Sequence, residues 1–111
     1  MKMGYKVARV LQDGTIISSR TAWYKGSVVK YKIGEFVKPN NNCGPLAVFE
    51  SLDNIKSFFD KNEMNDDDKI FKCVYCESKY EKLWNPSYEL NTLPPGTKLA
   101  CKVKLIKEVT L

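Results

Sequence analysis

The sequence predicts one α+β domain over residues 1–111: a twisted, mainly antiparallel sheet of about five to seven strands, with one helix over about residues 52–61 packed on one face. Three observations carry that expectation. Short apolar or alternating stretches recur between Gly, Pro and Asn turn signals, which is the spacing of strands. One stretch alone has helical periodicity, with Leu52, Ile55, Phe58 and Phe59 on one side and Asp53, Asn54, Lys56 and Asp60 on the other. A chain of 111 residues, 43% of them hydrophobic, can bury one sizeable core and is short for two.

Each element has a local cause. Tyr5 to Leu11 alternates residue by residue, Asp13-Gly14 is a hairpin signal of the type I′ kind, and the β-branched run Thr15-Ile16-Ile17 returns as the second strand. Val28 to Tyr31 and Phe36-Val37 read as short extended pieces around a turn at Gly34, and Pro39 to Gly44 reads as a loop. Leu46 to Phe49, opened by Gly44-Pro45, is a short buried strand. Ser51 then caps the helix, its hydroxyl accepting a backbone N–H of the first turn, while Asp53 complements the helix dipole. Asn62 to Asp68 reads as a solvated acidic connection. Ile70 to Cys76 is apolar on both parities, as a central strand is. From Ser78 to Thr97 no clean pattern holds, apart from a short helical turn expected between Glu77 and Trp84, and a loop of that length is usually functional. In Lys98 to Leu111, Leu99, Cys101, Val103 and Leu105 alternate with Lys98, Ala100, Lys102 and Lys104, the clearest strand in the chain.

Composition narrows the function classes. No apolar run approaches the roughly 18 residues of a membrane span, and no secretory signal is visible at the N-terminus, so a cytoplasmic protein is expected. The chain has no histidine, which removes Ser-His and Cys-His nucleophile pairs and imidazole-based zinc sites. No catalytic motif is recognisable, and a non-enzyme is expected. The net charge of +5 alternates along the chain: +6 over residues 1–49, −4 over 50–90 and +3 over 91–111. A basic balance admits nucleic-acid binding as an alternative, yet only Arg9 and Arg20 are arginines, and arginine makes the forked contacts to phosphate and base edges.

Two groups of residues stand out as candidate sites. Tyr80, Trp84 and Tyr88, joined by Trp23-Tyr24 beside Gly26, are large amphipathic aromatics of the type enriched at recognition surfaces. They point to a protein partner or self-association. Cys43, Cys73, Cys76 and Cys101 are an alternative set of four thiolate ligands for zinc, with Cys73 and Cys76 at C-x-x-C spacing; in a strand those two sulfurs point to opposite faces. No other cofactor is expected.

Val29 to Gly34, Leu46 to Asn54 and Pro95 to Val109 resemble stretches of small uncharacterised proteins of tailed phages and their bacterial and marine-metagenome relatives. That group has no assigned activity, and the resemblance implies an accessory binding protein of phage type. Phe49-Glu50-Ser51 ahead of the helix is similar to the Phe-x-Ser strand of ADP-ribosyltransferase-like folds. This second resemblance implies roles for Arg9 on an early strand and for Glu108 as a late glutamate, although no Gly-rich nicotinamide loop accompanies them.

Overall fold

The computed structural model describes residues 1–19, 28–41, 43–85, 88–90 and 92–111, the side chains of Asn85, Tyr88 and Leu90 excepted. In order, the elements are β1 (Lys2–Val10), β2 (Ile16–Ser18), β3 (Lys30–Tyr31), β4 (Phe36–Val37), β5 (Leu46–Phe49), α1 (Leu52–Lys61), β6 (Asp68–Glu77), β7 (Leu83–Asn85), β8 (Tyr88–Leu90) and β9 (Thr97–Val109). This is the expected α+β class, with one helix and, among the described residues, a main sheet of seven antiparallel strands. No helix among them is long and apolar enough to cross a membrane.

Part of the sheet closes on itself. β6 pairs β1 along one edge, from Lys2↔Tyr75 to Arg9↔Asp68, and β9 along the other, from Ile70↔Val109 to Glu77↔Ala100. β5 pairs β9 from Leu46↔Ala100 to Phe49↔Thr97 and meets β1 at Tyr5↔Phe49. β1, β6, β9 and β5 therefore form a ring, with β2 and β3 continuing from β1 and β4 attached to β9. The core lies inside, where Ala8, Val48, Phe71, Cys73, Tyr75, Ala100, Val103 and Leu105 are each at most 2% exposed. Burying such a side chain contributes roughly 1.5–3 kcal/mol for the larger apolar types, which is why the ring closes around them.

Pairing with β6 alters the parity that β9 shows in sequence. The register steps from Cys76↔Lys102 to Glu77↔Ala100 and from Lys72↔Lys107 to Cys73↔Leu105, so Cys101 and Ile106 are the extra residues of two bulges. A bulge shifts the inward set by one residue. Ala100 is therefore buried and Cys101 exposed, where simple alternation puts Cys101 with Val103. The first hairpin differs in a similar way. Gly14 N–H donates to Leu11 O at 2.9 Å and Leu11 N–H to Thr15 O at 2.8 Å, with Gly14 at φ 87°. This is a three-residue loop with a glycine bulge instead of the two-residue type I′ turn.

The helix keeps its expected bounds because its start is fixed locally. Ser51 is extended, and its hydroxyl accepts Asn54 N–H at 3.2 Å while donating to Asn54 Oδ1 at 2.6 Å. Ile55 is fully buried, and the Phe58 ring lies 5.5 Å from that of Phe49 on β5.

Two connections depart from expectation. The 78–97 segment holds the hairpin β7–β8, where a short helical turn is expected before Trp84. The backbone cause is non-local: Trp84 N–H donates to Gly44 O and Gly44 N–H to Trp84 O, at 2.8 and 3.0 Å, which holds Trp84 extended. The acidic run is engaged where a solvated connection is expected. Arg9 donates to Asp67 Oδ2 through Nε and Nη2, and Asp68, 1% exposed, accepts from Ser19 Oγ at 2.8 Å and Asn65 N–H at 3.0 Å. A buried carboxylate is tolerated only with such partners.

Candidate functional site

One edge of β1 is shared by two strands that do not meet. Ala8, Arg9 and Val10 pair with β2, and Tyr5 pairs with β5, so β2 and β5 splay apart beside Lys6 and Val7. A cleft of about 300 Å³ opens over this seam. Ser18, Ser19 and Val29 line one wall, Ala47, Phe49 and Phe58 the other, and Trp84, Leu93 and Pro94 lie across it. The volume and the mainly apolar lining with a few polar atoms are those of a small-ligand site.

The sequence at the seam explains the geometry. On the inward face of β1, Gly4 and Ala8 flank Lys6, and these small neighbours leave room for its long side chain. Lys6 is 9% exposed, and its Nζ donates to Ala47 O at 2.6 Å, supplying that carbonyl where the β1–β5 ladder has ended. The Tyr31 ring centroid is 5.7 Å from Nζ. Burial lowers the Lys6 pKa from 10.5 to about 8, against a small opposing pull from Cys73. Burial also pushes the Cys73 thiol up to about 11 and raises Tyr31, which Cys73 raises further. Tyr31 Oη is buried without a hydrogen bond, while the Ser18 hydroxyl accepts the Val29 N–H at 2.9 Å. Thr97 Oγ1, in the cleft wall, is likewise buried without a partner.

Trp84 forms the outer boundary by two contacts. Its indole lies so close over Gly44 that a β-carbon there would come within 2.8 Å of the ring. Its other side meets the Tyr80 ring, at 4.7 Å between centroids and 84° between planes, and Tyr80 is 63% exposed. The structure thus joins Tyr80 and Trp84. Tyr88 lies on β8, next to Asn85 in register, with its side chain outside the described residues, as are Trp23 and Tyr24 altogether.

The cysteines are spread over the fold. Cys73 is buried inside the ring, Cys76 lies on the other face of β6, Cys101 is exposed on β9, and Cys43 is half-buried at the cleft. Among the described residues no three Cys, Asp or Glu side chains gather to hold a metal ion. Arg9 is occupied by Asp67, and Glu108 is exposed on β9, opposite Phe71 in register. Ser51 of the Phe-x-Ser stretch serves as the helix cap.

Sequence reasoning singled out Trp84 but missed Lys6 and the seam. The one local signal was Gly4-x-Lys6-x-Ala8, a long side chain between two small ones on one strand face. Fold and cleft together define a small α+β domain with a partly closed sheet and a lateral pocket. No known protein family matches this chain, and neither a curated protein nor a solved structure is significantly similar to it.

Proposed function

We propose that this protein is a binding domain that holds a small ligand in the cleft between β2 and β5. The observation that carries the reading is the cleft itself, about 300 Å³ and walled by Phe49, Phe58 and Trp84, with one buried hydroxyl in its wall, Thr97 Oγ1, that lacks a partner. Native proteins pair nearly all such atoms, so an orphaned hydroxyl in a cavity wall favours a bound partner there. The resemblance to small phage proteins fits an accessory binding role.

The test uses a neutral apolar dye, N-phenyl-naphthylamine, and a Trp23→Phe variant in which Trp84 is the only indole. Saturable one-to-one binding with energy transfer from Trp84 is expected, and Ala47→Phe, which places a ring in the cleft, should abolish it. Dye uptake that never saturates, or that ignores Ala47→Phe, rejects the reading. A second reading, a protein partner seated across the cleft mouth, is favoured by Tyr80, exposed yet held by Trp84. It requires that Tyr80→Ala weaken partner capture without altering dye binding; capture unchanged by that substitution removes it.

A further inference from the structure

Lys6 is a cation in a place built for an apolar residue. It projects from the inward face of β1 into the floor of the cleft, 9% exposed. An ammonium carries three N–H donors, and here one is used, on Ala47 O, with the Tyr31 ring face as the other neighbour. No carboxylate compensates it. All thirteen Asp and Glu residues of the chain are among the described ones, and Lys6 belongs to none of the ion pairs seen there, such as Lys2 with Glu77, Arg9 with Asp67 and Lys82 with Glu89. A buried charge is stable only when it is paired and hydrogen-bonded. In the wall of the same cleft, Thr97 Oγ1 is buried with no partner.

We infer that the ligand of the cleft is an amphiphilic monocarboxylate, its carboxylate on Lys6 Nζ and its apolar body against Phe49, Phe58 and Trp84. The inference rests on the cleft reading above and adds the chemistry of what fills it. One cation matches one negative charge, whereas a phosphate monoester brings about two. At roughly 30 Å³ for each water-sized group, the cavity has room for a molecule of about ten such groups, the size of a medium-chain fatty acid or a substituted aromatic acid.

Calorimetric titration with decanoate and with decanol, each below its aggregation limit, tests this on the whole chain. On the native sequence decanoate should bind one-to-one and at least about tenfold more tightly than decanol, a difference of about 1.4 kcal/mol. In Lys6→Met the order should reverse, because a carboxylate then enters an apolar cleft unpaired. Decanol binding as tightly as decanoate to the native chain overturns the carboxylate assignment and leaves the cleft standing. Neither ligand binding overturns both.

A second measurement needs no variant. Among the described residues the titratable groups facing Lys6 are Tyr31 on β3 and Cys73 on β6, both kept neutral to high pH by burial; β2 and β5 contribute none, and the Cys43 thiol lies elsewhere in the cleft lining. Decanoate affinity should therefore fall between about pH 8 and pH 10 while decanol affinity holds, as Lys6 loses its proton. Parallel pH profiles for the two ligands refute the pairing.

Discussion

Replacing Lys6 by methionine separates two effects that oppose each other at neutral pH. The ammonium is held out of water, and the fall of its pKa from 10.5 to about 8 corresponds to about 3 kcal/mol of lost solvation relative to the neutral amine. Removing it also strands Ala47 O, at a cost of about 1–3 kcal/mol for an unsatisfied buried acceptor. The net change at about pH 7 is thus small. The pH dependence is where the two chains differ. Because the folded-state pKa lies below the unfolded one, the unfolded chain binds the extra proton between about 8 and 10.5, and native stability rises with pH there. The Lys6 contribution is fully present above 10.5 and is lost as pH falls through about 8. Between about pH 7 and pH 9 the native sequence should gain roughly 1.3 kcal/mol over Lys6→Met. Cys73 and Tyr31 act in the opposite sense above about pH 9, since their raised pKa values make the unfolded state the better acid, but they are common to both chains. Urea unfolding of both proteins across this range, followed by tryptophan emission, gives the difference directly. Parallel stability curves would refute the account of Lys6 as a desolvated cation.

Other perturbations read other parts of the structure. Gly96 has φ 79° and packs on the Asn54 amide, so Gly96→Ala should lower stability by about 2 kcal/mol or more in urea unfolding; a loss under about 0.5 kcal/mol would show the turn to be adaptable. Gly44→Ala should push the indole of Trp84 off its seat and shift its emission in the Trp23→Phe background, and an unchanged spectrum would contradict the packing. Asp68→Ala removes the acceptor for Ser19 Oγ and Asn65 N–H inside the fold, and about 3 kcal/mol of stability should go with it in thermal unfolding; a melting point within a degree or two of the parent would place that carboxylate in water. The hydrogen bond from Arg9 holds Asp67 below the usual carboxylate range, as that from Lys2 holds Glu77. Their contribution is present above that range and lost as pH falls below it, so Arg9→Ala should flatten the acid limb of an unfolding titration, and an acid midpoint and slope equal to the parent's would discount the pair.

What could be read from the sequence was what local chemistry decides. Gly44-Pro45 opens β5, Ser51 caps α1, and the stripe from Leu52 to Phe59 fixes the helix to its observed bounds. The central place of β6 also followed from its apolar run, since that strand is paired along both edges. What escaped was set by partners far along the chain. The strands of β7–β8 have three residues each, too few to show a period, and Trp84 is held by Gly44, forty positions earlier. The parity of β9 changes at Cys101 and Ile106 because β6 imposes its register. Lys6 looked like an ordinary polar position on an alternating strand, and its burial follows from β2 and β5 parting beside it, a property of the sheet and not of β1. Trp84 was legible as a recognition-type aromatic, while the cleft it borders was not, because its lining comes from seven separate stretches of chain between Lys6 and Thr97.

The closed ring also bears on how fast this chain can fold. Its ladders join Lys2 to Tyr75 and Phe49 to Thr97, so long loops must close before the pairing rewards them. Such topology is slow to form, on the order of milliseconds to seconds. β9 is the partner of β4, β5 and β6 together, and until it docks all three present open edges to any neighbouring chain. The vulnerable moment of this molecule is therefore the interval before that last strand arrives, when aggregation competes with closure.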